Sequence, residues 1–111
     1  MSRVRLCTLA QIPDGDSAGF LVAEGGARHD LIAVRRNRDV FIYRNSCPHI
    51  GAPLDFAPGR FLSLDKTHIL CSTHGALFRV EDGFCVSGPC LGDSLEPVTA
   101  SVEDDAVFID L

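Results

Sequence analysis

The chain has 111 residues, of which 46% are hydrophobic and 23% are charged, and this size and composition predict one globular domain, residues 1–111. No apolar run approaches the roughly 18 residues of a membrane span, and the N-terminus lacks the apolar core of a signal peptide, so we expect a cytoplasmic protein with no membrane segment. The formal net charge of −5 argues against nucleic-acid binding, for which a basic face is the expected footprint.

The negative charge is concentrated near the C-terminus. From Leu91 onward there are six acidic residues and no lysine or arginine, whereas the first 90 residues carry ten basic and nine acidic side chains. Such a segment is either a solvated surface, as most charge runs are, or a flank that steers a basic partner protein.

The first part of the chain predicts strands separated by turns. Its short apolar or alternating runs, rich in β-branched and aromatic residues and bounded by turn residues, are typical of strands. They predict four strands: Arg3 to Thr8, Phe20 to Glu24, His29 to Arg36 and Val40 to Arg44. The last two form a hairpin about Asn37-Arg38, and Pro13 to Asp16 predicts a turn.

The second part continues the same pattern. Short strands are predicted over Phe61 to Leu64, His68 to Leu70, Leu77 to Val80, Phe84 to Val86, the alternating residues Val98, Ala100 and Val102, and Ala106 to Leu111. Hairpin turns are expected at Glu81-Asp82-Gly83 and at Asp104-Asp105. Because no window has convincing helical periodicity, we predict an all-β fold, a small antiparallel sandwich or barrel.

Two short segments carry the residues most suited to chemistry. The first reads Cys47-Pro48-His49 and is followed by Gly51, and the second reads Cys71-Ser72-Thr73-His74-Gly75, with the 21 residues 50–70 between His49 and Cys71. Thiolate and imidazole ligands suit both zinc and iron-sulfur centres. Zinc sites usually pair two cysteines and then two histidines, whereas each half here holds one of each.

This arrangement resembles the two cluster-binding loops of the Rieske [2Fe-2S] family, in which two imidazoles replace two thiolates on one iron. The resemblance covers nearly the whole chain, with Ser87-Gly88-Pro89 matching the third loop that covers the cluster. It implies one [2Fe-2S] cluster per chain, held within residues 45–90. Cys47 and Cys71 would bind the inner iron, and His49 and His74 the outer, more exposed iron.

The resemblance also implies a function. The chain is similar to small Rieske ferredoxins, which carry electrons from a flavin-dependent reductase to a terminal oxygenase, and to small subunits of the nitrite-reductase type. We therefore expect an electron carrier and component of a dioxygenase system, not an enzyme. Two alternatives remain: a redox-sensing or accessory subunit that carries the cluster, and a structural zinc module.

Four residues bear on the reduction potential that the resemblance implies. High-potential members of the family have a disulfide at the positions of Ala52 and Thr73, and hydroxyl-bearing side chains at those of Ala76 and Phe78. Fewer hydrogen-bond donors to the cluster stabilise its reduced state less. We therefore predict a low-potential centre.

The remaining cysteines and histidines have no assigned chemistry. Cys7 has no assigned role. Cys85 and Cys90 are expected to be small apolar packing residues beneath the third loop, although they flank one turn and could approach each other. His29 and His68 fall in predicted strands and are not expected to bind metal. The resemblance also implies an apolar collar around the cluster, where a redox partner would dock: Gly51, Ala52, Pro53, Gly75 and Pro89.

Overall fold

Strands dominate the computed structural model, which describes residues 3–48, 54, 61–71 and 75–111. The strands are β1 (Arg3–Thr8), β2 (Ser17–Glu24), β3 (Ala27–Arg36), β4 (Asp39–Arg44), β5 (His68–Leu70), β6 (Leu77–Arg79), β7 (Cys85–Ser87), β8 (Pro97–Val98), β9 (Ala100–Glu103) and β10 (Ala106–Asp110). A single 3-10 turn, Leu9–Gln11, follows β1. The predicted all-β class is confirmed.

The strands form three antiparallel sheets. One has the order β1-β10-β9, the second has the order β2-β3-β4-β8, and the third, smaller sheet has the order β5-β6-β7. Every pairing between these strands is antiparallel, so short turns and loops connect most neighbours. Strands β5 and β6 of the small sheet flank the segment in which Cys71 and His74 were predicted to bind the cluster.

Two apolar cores lie on opposite faces of β3. Alternate residues of a strand point to opposite faces, and here Ile32 and Val34 enter one core while Leu31 and Ala33 enter the other. The first, the site-side core, contains Ile32, Val34, Tyr43, Cys47, Leu54, Phe61, Leu62, Ile69, Cys71, Ala76, Phe78, Val80, Cys85, Cys90 and Leu95. The second, the distal core, contains Cys7, Leu9, Ile12, Leu31, Ala33, Ile42, Val98, Val107 and Ile109.

Tyr43 connects the four-stranded sheet to the small sheet. Its buried hydroxyl donates a hydrogen bond of 2.6 Å to the carbonyl oxygen of Val80, just after β6. A Cβ atom on Gly83, whose φ is +71°, would lie only 2.8 Å from Cε1 of the Tyr43 ring. Glycine at this position therefore permits close packing of the β6–β7 turn on β4.

The turn between β6 and β7 is held by Asp82. The guanidinium group of Arg79 donates to both carboxylate oxygens, at 2.6 and 3.1 Å, and the backbone N–H of Phe84 donates at 3.0 Å. These hydrogen bonds, that from Arg79 first, keep the pKa of Asp82 below its usual value. The turn predicted at Glu81-Asp82-Gly83 is thus confirmed.

The structure corrects three details of the predicted elements. Strand β2 begins at Ser17 rather than Phe20 because its full length pairs with β3. In the segment predicted as a strand from Phe61 to Leu64, the structure shows only an isolated bridge from Leu62 to Ile69. The alternating run from Val98 to Val102 is divided at Thr99, because β8 pairs with β4 and β9 with β10.

The predicted turn at Asp104-Asp105 is present between β9 and β10. Both residues have positive φ, 50° and 61°, as a two-residue hairpin turn requires. None of the helices among the described residues has the length and apolar character needed to cross a membrane.

Tyr43 provides a test of the connection between the two sheets. Burial, and then the nearby carboxylates of Asp82 and Glu81, raise the pKa of Tyr43 to about 12. The native state therefore keeps the phenolic proton at pH values where the unfolded chain, with a tyrosine pKa of about 10, has lost it. The stabilisation is fully present below about pH 10 and is lost as the pH rises through the native pKa.

Ultraviolet titration measures this effect directly, since Tyr43 is the chain's single tyrosine. We expect ionisation near pH 12 in the folded protein and near pH 10 in urea. The thermal stability advantage of the wild type over Tyr43→Phe should shrink above pH 10. A folded-state pKa near 10 would contradict the role given to this hydroxyl.

Candidate metal centre

Cys47 lies three residues after β4, at the start of the first predicted ligand loop. Its side chain is only 1% exposed and belongs to the site-side core. Asn45 closes this loop, because its side-chain oxygen accepts a 2.7 Å hydrogen bond from the backbone N–H of Leu54. The Asn45 backbone N–H in turn donates to the carbonyl oxygen of Asp30 at 2.9 Å. Because Asn45 is hydrogen-bonded to both Asp30 of β3 and Leu54, it fastens both ends of the segment 45–54 to that strand.

Cys71 directly follows β5 and opens the second predicted ligand loop. Its backbone N–H donates to the carbonyl oxygen of Ala76 at 2.8 Å, and its own carbonyl oxygen accepts from Gly75 at 2.9 Å. Gly75 has a φ of +69°, which glycine adopts at no steric cost. The loop is consequently the end of the β5–β6 hairpin, and its two ends are held together by the backbone.

A third loop, residues 87–92, packs against these two. A Cβ atom on Gly88 would lie 2.7 Å from Cα of Ala76, so only glycine permits this approach to the second loop. Cys90 reaches the first loop, where its Sγ atom lies 3.5 Å from Sγ of Cys47. The expected third loop is therefore in contact with both ligand segments.

The sulfur atoms of this region share one apolar environment. Cys47, Cys71, Cys85 and Cys90 form no disulfide, are at most 1% exposed, and all belong to the site-side core. Soft thiolate donors shielded from water suit an iron-sulfur cluster. The buried side chains of Cys47 and Cys71 therefore fit such a group.

The two predicted imidazole ligands lie outside the described residues. His49 and His74 fall in the segments 49–53 and 72–74, as do Gly51, Ala52 and Pro53 of the predicted collar. Within the ranges 3–48, 54, 61–71 and 75–111, no three His, Cys, Asp or Glu residues gather as a metal site. Of the four predicted ligands, the structure describes Cys47 and Cys71.

Cys7 and Cys85 are buried, and His29 and His68 lie in strands, as the sequence predicted. Cys7 is in the distal core, where burial raises the pKa of its thiol, and Cys85 donates to the carbonyl oxygen of Ser87 at 3.2 Å. Nδ1 of His29 lies 2.8 Å from the Arg44 guanidinium, and Nδ1 of His68 lies 2.8 Å from the Thr67 hydroxyl.

A family model describes this combination of fold and loops. The model of the Rieske [2Fe-2S] domain matches residues 2–103 of the chain. The chain belongs to the Rieske [2Fe-2S] family. The domain carries a [2Fe-2S] cluster, and the buried thiols of the two loops agree with that cofactor.

Solved structures with the same fold include small ferredoxins. The Sphingomonas yanoikuyae B1 ferredoxin is 27% identical, with 99% of each chain covered and a TM-score of 0.74. The ferredoxin of carbazole 1,9a-dioxygenase from Nocardioides aromaticivorans IC177 is 23% identical, with 98% of this chain and 97% of that chain covered and a TM-score of 0.75.

A third similar structure is described as a complex of reduced oxygenase and oxidized ferredoxin in carbazole 1,9a-dioxygenase. The matched chain is 23% identical, with 96% of this chain and 91% of that chain covered and a TM-score of 0.74. No curated protein sequence matches the chain. The similarity to these structures extends over almost the full length of the Rieske domain.

Sequence reasoning missed two residues of this centre, Asn45 and Cys90. Asn45 precedes the first motif by two residues, and only its hydrogen bond to Leu54 shows its role. Cys90 was assigned to packing beneath the third loop. Its position directly after Gly88-Pro89 was a usable signal, since the family resemblance places that loop over the cluster.

Gly88→Ala should separate the third loop from the second. The new Cβ atom would collide with the Ala76 backbone, so we expect a lower thermal midpoint and faster loss of the visible absorbance of the cluster. Gly92→Ala is the matched control, because Gly92 also has positive φ, +94°, but has nothing within 4 Å of an added Cβ. The free energy of unfolding should be lower in Gly88→Ala than in Gly92→Ala by on the order of 1–3 kcal/mol. Equal effects in the two variants would contradict a tight contact between the loops.

Proposed function

We propose that this protein is a one-electron carrier that passes electrons from a flavin-dependent reductase to a terminal oxygenase or a similar acceptor. The observation that carries this proposal is the family match over residues 2–103, joined to a fold shared with ferredoxins over almost the whole chain. A carrier of this kind transfers electrons and does not itself convert a substrate. Residues 1–111 would form a single domain, with the cluster held by about residues 45–90.

The proposed ligands are Cys47 and Cys71 for the inner iron and His49 and His74 for the outer iron. The buried positions of both cysteines support the inner assignment. The order of Cys and His in each loop supports the outer assignment, because it agrees with a centre in which two imidazoles serve one iron.

When bound, a Rieske cluster gains and loses one electron, at potentials that span roughly −150 to +300 mV in the family. The residues of this chain determine the environment of that charge. The core residues Ala76 and Phe78 are fully buried and present no hydroxyl group to the centre. This agrees with the expectation of a low potential, because hydrogen bonds to cluster sulfurs stabilise the reduced state.

The proposed partners follow from the similar structures. One of these is a complex of an oxygenase with its ferredoxin, which supports a terminal oxygenase as the acceptor. Docking is proposed at the surface that the family resemblance places over the cluster, to which the third loop would contribute the exposed side chains of Pro89 and Leu91. Binding would be weak and transient, as for most redox encounters.

The proposed location is the cytoplasm. The five cysteines are free thiols, as is usual for proteins in a reducing compartment.

Substitution of each proposed ligand tests the ligand set. Cys47→Ser, Cys71→Ser, His49→Ala and His74→Ala should each abolish or convert the Rieske EPR signal of the reduced protein. Iron and acid-labile sulfide should fall from two each per chain in the cysteine variants. Cys7→Ser, His29→Gln and His68→Gln are the controls and should leave the signal unchanged. A wild-type protein that is colourless and contains one zinc ion would overturn the iron assignment.

Sustained turnover tests the carrier function. With NADH, a flavin-dependent ferredoxin reductase and cytochrome c as acceptor, the rate of cytochrome c reduction should increase in proportion to the protein added. Many electrons should pass per cluster, and the His74→Ala variant should support only the rate of the reductase alone. Reduction limited to one electron per chain, without turnover, would favour the redox-sensing alternative.

A further inference from the structure

The thiol of Cys90 contacts the thiol of Cys47 inside the site-side core. Their Sγ atoms are 3.5 Å apart, within the range for a hydrogen bond between sulfur atoms. Cys90 is fully buried and Cys47 is 1% exposed. The two residues are 43 positions apart in the sequence, so the fold alone creates this contact.

The third loop holds Cys90 at this position by its own backbone. The Cys90 carbonyl oxygen accepts a 2.8 Å hydrogen bond from Asp93, and the carbonyl oxygen of Gly88 accepts one of 3.2 Å from Leu91. The close approach of Gly88 to Ala76 fixes the start of the same turn. The contact between sulfurs therefore depends on a well-supported backbone rather than on one mobile side chain.

Ligand chemistry determines which of the two sulfurs, Cys90 or Cys47, donates the hydrogen bond. As a ligand, Cys47 is a thiolate, so it has no proton and can only accept a hydrogen bond. We propose that the S–H group of Cys90 donates a hydrogen bond to Sγ of Cys47 and thereby raises the reduction potential of the cluster. This inference rests on the proposed assignment of Cys47 as a ligand.

The direction of the effect follows from charge. One-electron reduction makes the cluster and its ligand sulfurs more negative, so a donor to one of these sulfurs stabilises the reduced state more than the oxidised state. Because a thiol is a weak hydrogen-bond donor, we expect it to raise the equilibrium constant for reduction by about three- to tenfold. For a one-electron couple, a tenfold change corresponds to about 59 mV.

Cys85 is a matched control within the same core. It is as deeply buried as Cys90 and also belongs to the third-loop region, but its thiol donates to the carbonyl oxygen of Ser87 at 3.2 Å. Removing either thiol takes one sulfur from the site-side core. Only the removal of Cys90 takes away the contact with Cys47.

The test compares the midpoint potentials of the cluster-loaded wild type, Cys90→Ala, Cys90→Ser and Cys85→Ala. We expect the equilibrium constant for one-electron reduction to be about three- to tenfold lower in Cys90→Ala than in the wild type. In Cys85→Ala it should remain within about twofold of the wild-type value. Serine retains a donor, so the potential of Cys90→Ser should lie closer to that of the wild type. Pulsed EPR of the reduced protein in H₂O and D₂O should show an exchangeable proton that Cys90→Ala lacks and Cys85→Ala retains.

An unchanged potential in Cys90→Ala would overturn the inference, as would equal decreases in Cys90→Ala and Cys85→Ala. If the alanine variant does not bind the cluster, Cys90→Val replaces it, because valine fills the space of the thiol without a donor. Iron and sulfide counts separate this result from a failure of the proposed ligand set. A full cluster in every Cys90 and Cys85 variant with identical potentials contradicts only the role of Cys90, whereas an unchanged Rieske EPR signal and two irons per chain in Cys47→Ser contradict the ligand assignment itself.

Discussion

Burial of Cys47 and Cys71 in one apolar core is the constraint on which the candidate centre depends. A thiol that faces inward from a turn requires the two ends of that turn to be held firmly. Asn45 meets this requirement for the first loop through its hydrogen bond to Leu54, and the paired backbone of Cys71 and Ala76 meets it for the second. The positions of Cys47 and Cys71 are therefore determined by the hairpins and anchors around them, as is typical of sites on a rigid scaffold.

The same core joins the small sheet to the rest of the protein. Ile32 and Val34 of β3 pack in it, while their neighbours in the strand pack in the distal core. Tyr43 adds a directed bond from its hydroxyl to Val80, and the absence of a side chain on Gly83 allows the turn to approach its ring. Displacement of the small sheet would thus break apolar packing and a buried hydrogen bond together.

Two opposing influences act on the electron that the centre receives. The buried side chains of Ala76 and Phe78 provide no hydroxyl donor, which favours a low potential. In the proposed centre, a hydrogen bond donated by the Cys90 thiol to Cys47 acts in the opposite direction. Reasoning from Ala76 and Phe78 alone omits Cys90, which lies near Cys47 in space but far from it in the chain.

The sequence by itself determined the features that depend on local order. Alternating and β-branched runs predicted the strands, and the order of Cys and His in two short motifs indicated the family. Only the tertiary structure decided that Cys90 contacts Cys47, that Asn45 closes the first loop, and that the chain changes sheets at Thr99. Local sequence patterns constrain only neighbouring residues. The contacts of Cys90, Asn45 and Thr99 instead depend on which distant segments pack together when the whole core is buried.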